Sequence, residues 1–161
     1  MKRSALIAAG ALLGLAAPAL AAAQSAGPAK HVLILTGVGR YAVFADFASV
    51  TPDGDGVRMR AFQVSEPGFA VGDQAYWGGW SWWRFDCAAR VVDRLDFAAV
   101  KAGGQEGPAT PDPAPPYAIA RGGDAEELAA IACRDAVPIV PDAYTLEDAV
   151  RIGHARLTEE D

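Results

Sequence analysis

The run Tyr76-Trp77-Gly78-Gly79-Trp80-Ser81-Trp82-Trp83-Arg84-Phe85-Asp86-Cys87 holds all four tryptophans of the chain and the first of its two cysteines. No other stretch restricts the fold so strongly. From Trp80 onward it reads as a β-strand. Period-two alternation puts Ser81, Trp83, Phe85 and Cys87 on one face and Trp80, Trp82, Arg84 and Asp86 on the other. The first face ends in a thiol and is expected to pack against the element that carries Cys133. The second face joins two indoles to a charged pair. It suits either a packed layer or a binding surface, because tryptophan and arginine serve in both. Trp80, Trp82 and Arg84 are therefore the candidate binding surface. Gly78-Gly79 marks a bulge or tight bend where the strand joins the sheet.

The first residues read as a secretory signal rather than as part of a fold. Lys2 and Arg3 precede the apolar run Leu6 to Ala17, Pro18 ends it, and Ala19-Leu20-Ala21 is a small-x-small cleavage signal. Residues 1–21 are thus expected to be a signal peptide, with Ala21-Ala22-Ala23 allowing cleavage up to residue 23. The apolar run is shorter than the roughly 20 residues that a membrane span requires. No cysteine lies near the cleavage site, so no lipid anchor is expected. The expectation is an exported protein, periplasmic or extracellular, with no membrane anchor after signal cleavage. Residues 22–30 read as a flexible lead-in.

What remains, about 138 residues, is enough for one domain with a real core. Acidic side chains outnumber basic ones, 20 to 14, for a net charge of −6. Removal of Lys2 and Arg3 makes the chain more acidic still. Such a surface is a poor partner for nucleic acid or anionic lipid. An even pair of cysteines in an exported chain favours a Cys87–Cys133 disulfide. Closing a loop of about 47 residues is worth roughly 4 kcal/mol in the chain-entropy model. A zinc site needs about four ligands, and the only histidines, His31 and His154, lie near the two ends. No metal site and no cofactor is expected.

Along the chain, His31-Val32-Leu33-Ile34-Leu35 reads as a strand and Thr36-Gly37-Val38-Gly39 as a turn. Arg40 to Val50 and Val57 to Val64 read as the next two strands. Asp53-Gly54-Asp55-Gly56 joins them as a hairpin rather than a calcium loop, because the closing glutamate is missing. Arg58 and Arg60 share a face with Phe62, where their stems can cover apolar surface. Glu66 to Asp73 reads as a loop. After Cys87, Ala88 to Val100 alternates as one strand, with Arg84, Arg90 and Arg94 facing Asp86, Asp93 and Asp96 as possible partners. Gly103 to Pro116 is a proline-rich loop and Tyr117-Ala118-Ile119-Ala120 a short strand. A helix follows, with Asp124 as N-cap, Glu127 completing a capping box and Cys133 at its end. Thr145 caps a second helix with an apolar stripe of Leu146, Ala149, Val150, Gly153 and Leu157. This order specifies an α+β domain: an antiparallel sheet of about six strands with a disulfide-tethered helix on one face and an extra C-terminal helix. Residues 31–136 form the domain and 137–161 a helical extension.

Several of these residues recur in one family pattern. Asp46 precedes Phe47-Ala48-Ser49-Val50 and a hairpin follows. A strand ends in Asp86-Cys87, and a basic strand starts at Arg90. An aromatic-led strand at Tyr117 leads to Gly122-Gly123-Asp124 and a cysteine at the helix end, Cys133. Over about Val32 to Asp135 the chain resembles the surface-adhesin protein E-like family of exported bacterial proteins. The resemblance implies a curved antiparallel sheet tied to a helix by the disulfide. It also implies adhesion through binding of host matrix and serum proteins. Of the family's residues, only the two cysteines map onto this chain.

The functional expectation is an exported, non-catalytic binding protein of the bacterial envelope, adhesin-like in the sense of that family. Its partner is an unidentified protein or envelope component. An alternative is a structural subunit that self-associates through a sheet edge. Nucleophilic catalysis needs a serine or cysteine beside a base. Both cysteines are committed to the bridge, and neither histidine sits in a recognisable motif. Acid–base catalysis would need a carboxylate pair such as Asp86 with Asp46 or Asp93, and the arginines are simpler partners for those groups. No catalytic residue is expected.

Overall fold

A computed structural model of the chain describes residues 31–134 and 140–159. The expected signal peptide, the expected lead-in 22–30 and the expected boundary at 136/137 lie outside these residues. The elements are β1 (Leu33–Val38), β2 (Ala42–Asp53), β3 (Gly56–Val64), β4 (Ala70–Val71), β5 (Gln74–Asp86), β6 (Val91–Arg94), β7 (Asp96–Lys101), β8 (Thr110–Pro111), β9 (Tyr117–Ala118), α1 (Asp124–Ala132) and α2 (Leu146–Glu159). The strands pair antiparallel in the order β1-β2-β3-β5-β6-β9, a curled half-barrel of six strands. β7 lies beside the first half of β5, and the two-residue strands β4 and β8 flank β5 and β7.

Strand ends follow local chemistry. β2 and β3 meet at the Asp-Gly hairpin, where Gly54 takes the left-handed conformation (φ 64°) that the tight turn needs. β1 continues through the expected turn at Thr36–Gly39. A bulge between Leu35 and Gly37 keeps it in the sheet, and Thr36 Oγ1 donates to the Val43 carbonyl at 3.1 Å. β5 begins at Gln74, earlier than Trp80, so Gly78-Gly79 lies within the strand beside a bulge against β7. The expected single strand from Ala88 to Val100 is broken twice. Asp86 Oδ1 accepts the Ala89 N–H at 2.8 Å and starts a turn that ends with Arg90 in the left-handed region (φ 54°). At Leu95 the ladder breaks again because the Asp96 carboxylate, rather than a backbone carbonyl, accepts the Trp82 N–H at 2.7 Å.

Each face of the sheet carries a buried core. On one, Val43, Met59, Ala61, Trp83, Phe85 and Val92 pack with Leu128, Ile131 and Ala132 of α1. On the other, Leu33, Phe44, Phe62, Val64, Trp80 and Val100 pack with Ala149, Val150 and Leu157 of α2. The stripe expected on the second helix is the surface it buries, with Leu146 partly covered. Thr145 Oγ1 accepts the Asp148 N–H at 3.1 Å and caps α2. The segment before α2 also closes the β1 edge. Leu33 donates to Ala143 O at 2.9 Å, and Asp142 Oδ2 accepts the Leu35 N–H at 2.8 Å.

Two expectations on charged side chains are corrected. Asp124 is the first helical residue, not the cap. Gly123 holds the cap position, and Glu126 rather than Glu127 reaches back, accepting the Gly122 N–H at 2.8 Å. The arginines pair over longer sequence distances than expected: Arg84 with Asp55, Arg90 with Glu126 and Arg94 with Asp112. Asp86 and Asp96 are taken by backbone N–H groups, which removes them as partners.

The Cys87–Cys133 disulfide is present and ties the end of β5 to the end of α1 across 46 residues of chain. A Cys87→Ala/Cys133→Ala variant should lose roughly 2–4 kcal/mol in urea unfolding. An unchanged midpoint would show that α1 holds its place without the bridge.

Candidate functional site

The tryptophan face is placed by β5 on the α2 side of the sheet, and its three expected site residues have separate fates. Trp80 is only 2% exposed and lies between Phe62 (ring centroids 5.0 Å apart) and His31 (5.2 Å), with the Arg60 guanidinium 4.4 Å from its ring. It belongs to the core and is removed from the candidate surface. Trp82 is half-buried under two guanidiniums, Arg58 at 4.9 Å and Arg60 at 5.7 Å from its ring centroid. Arg84 is held by the Asp55 carboxylate and by the Asp53 carbonyl. Arg60 is paired in turn with Glu106 at 2.6 Å. The face is thus an interleaved stack of arginines and indoles, in which Arg60 and Arg84 are ion-paired within the chain while Arg60 Nε is buried without a hydrogen-bond partner among the described residues. The arginines cover apolar surface here with their guanidiniums, which lie over the indole rings.

A second surface is more open. α1 packs on β1, β2 and β3, with Glu127 against Gly37 of β1, and none of its residues lines the open part of the same face beside β5 and β7. There the sheet carries a groove of about 560 Å³, lined by Tyr41, Gln63, Ser65, Phe69, Val71, Tyr76, Gly78, Gly79, Arg94, Phe97 and Ala99. Its depth comes from the glycine pair. The Phe97 ring lies against Gly79, where a Cβ would stand 2.3 Å from two ring atoms, so only glycine admits that ring position. The β4 hairpin raises Phe69 and Val71 as one wall, with the Phe69 and Tyr76 ring centroids 6.4 Å apart. Tyr41, from the β1–β2 turn, forms another. Seven large apolar side chains are well exposed among the described residues, and four of them, Tyr41, Phe69, Val71 and Phe97, line this groove. An exposed apolar cluster of this kind marks an interaction site more often than chance packing.

Arg94 is the one ionic side chain in the lining. Its Nε donates to Asp112 Oδ2 at 2.6 Å. The Asp112 carboxyl is held below the ordinary aspartate range, first by the N–H of Ala114 and then by the Arg94 hydrogen bond. Sequence reasoning passed over the groove, because Phe69 and Val71 sit in an expected loop. The available signal was the glycine pair inside an aromatic strand, which leaves a hollow on the sheet face.

Other chemistry-bearing residues lie apart. His31 Nδ1 and Asp46 Oδ2 are 2.7 Å apart, and Asp46 Oδ1 accepts the Val32 N–H at 3.1 Å. Asp46 therefore anchors the start of β1, away from Asp86 at the far end of β5, and the two do not form a carboxylate pair. Among the described residues, no group of three or more His, Cys, Asp or Glu side chains could hold a metal ion. No helix there is long and apolar enough to cross a membrane. No protein-family model, curated protein or solved structure matches the chain.

Trp80→Ala should cost about 3–5 kcal/mol in chemical unfolding and Trp82→Ala about 1–2 kcal/mol, in line with full and partial burial. Equal costs would contradict this division of the face. Because the folded-state pKa of Asp112 is depressed, its contribution to stability is present above the unfolded aspartate value of ~3.9 and is lost as pH falls through the folded value. Carboxyl carbon shifts followed by NMR should show Asp112 titrating below an unperturbed aspartate. A midpoint at or above the ordinary value would contradict the Arg94 and Ala114 contacts.

Proposed function

We propose that this chain is an exported, non-catalytic binding protein of the bacterial envelope and that the groove between β4, β5 and β7 receives its ligand. The groove itself carries this reading. Its volume falls within the range of roughly 300–1,000 Å³ typical of small-ligand sites. Its walls are aromatic, and a few polar groups (Gln63, Ser65, Arg94) are set among them. The disulfide fits an oxidising, non-cytoplasmic compartment, which agrees with export. In the adhesin-like form of this reading, the same groove engages an apolar element of a surface or host component. Self-association through the β1 edge is less well supported, since Asp142 and Ala143 already occupy part of that edge.

A neutral fluorescent probe tests the groove. N-phenyl-1-naphthylamine should bind the purified oxidised protein saturably, with a rise in emission. Phe97→Ser and Phe69→Ser should weaken binding about fivefold or more. Arg58→Ala, on the opposite face, should leave it unchanged. No saturable binding, or equal loss with Arg58→Ala, would count against the groove as the site.

A further inference from the structure

We infer that the ligand of this groove is a small amphipathic carboxylic acid, its carboxylate on Arg94 and its apolar body against Phe97, Phe69 and Tyr41. The inference rests on the groove being the ligand site and adds the chemistry of the ligand's head. In a chain of net charge −6, the only ionic residue lining the groove is a cation. No acidic side chain lines it, so an anion there meets no like charge within the lining.

Arg94 is also prepared for such a contact. A guanidinium has five N–H donors. Asp112 uses Nε, and the remaining donors have no partner among the described residues. Asp112 is itself fixed, because its other oxygen accepts the Ala114 N–H at 3.0 Å and its backbone N–H donates to Leu95 O at 3.0 Å. The guanidinium is therefore oriented through one edge while its terminal nitrogens stay free. Two terminal N–H groups match the two oxygens of a carboxylate. Arg40, 5.5 Å from the centroid of the Tyr41 ring and without an ion pair among the described residues, adds positive charge beside that wall. A neutral head leaves the free donors of Arg94 unmatched against an apolar lining, and a cationic head is repelled. Asp112 already offsets the formal charge of Arg94, so a second negative charge, as on a phosphate monoester, would meet no counter-charge there.

The test compares 2-naphthoic acid with 2-naphthamide as competitors of the neutral probe, so that the ring system is constant and only the head differs. In the unmodified protein at low salt the acid should bind about tenfold tighter than the amide, and about 0.5 M NaCl should shrink that gap. Arg94→Gln should abolish the gap by weakening the acid alone, and Arg94→Lys, which keeps the charge without the planar fork, should retain part of it. Asp112→Asn should widen it, because it removes the negative charge beside Arg94 and keeps an oxygen to accept from Nε. If the probe binds but acid and amide compete equally, or if the gap survives Arg94→Gln, the carboxylate assignment is overturned while the groove stands as the site. If the probe does not bind at all, both readings fall. Probe binding that emerges only on dilution, with a matching drop in mass by light scattering, assigns the groove to a second copy of the chain and also overturns the proposal.

Discussion

β5 is covered on both faces, and most of the structure depends on that. A strand in an antiparallel sheet normally sets one face toward water and alternates accordingly. Here Trp83 and Phe85 sink into the α1 layer while Trp80 sinks into the α2 layer, and the charged residues Arg84 and Asp86 are confined to the last, half-buried positions of the second face. Tryptophan supplies the large buried area that a small domain with two thin cores requires. The arginines of β3 complete the arrangement. Arg58 and Arg60 stack over the indoles at the less covered end of the α2 face, and Glu106 and Asp55 meet the charges of Arg60 and Arg84.

The two helices hold that strand system in different ways. α1 is short, nine residues, and is stapled to β5 at one end. α2 is longer, has its own cap and is set by shape, with Gly153 and Leu157 against Val64 and its neighbours. α1 reaches β1 at Gly37 through Glu127 but contributes no residue to the lining over β5 and β7. The groove is the part of the sheet that α1 does not cover, and Gly78-Gly79 keeps its floor low.

Most of the fold was legible because its signals are local. The Asp-Gly turn, the Thr145 cap, the stripe of α2 and the alternation from Trp80 to Cys87 each act within a few residues. The misread places are those where a distant or unexpected group took over a backbone bond. Asp96 displaced a carbonyl at Trp82, Gly123 took the cap position expected of Asp124 while Glu126 reached back in place of Glu127, and Thr36 kept β1 in the sheet through its hydroxyl. The arginine partners were misassigned for the same reason. Asp112 and Asp55 meet Arg94 and Arg84 from the proline-rich loop and the β2–β3 hairpin, contacts set by the tertiary fold. Trp80 and Trp82 could not be told apart in sequence, since both lie on one face of one strand. Only the position of α2 and its core separates a buried indole from a half-buried one.

The sequence by itself determined the α+β class, the antiparallel sheet, the pairing of Cys87 with Cys133 and the two faces of β5. Those follow from residue period, turn chemistry and an even thiol count. The tertiary structure alone decided which face has room for a ligand. A groove is made by elements that stop short of one another, here α1, the β4 hairpin and the Phe97 ring over Gly79. Periodicity along a strand records which way side chains point, but not how far the element packed above them extends.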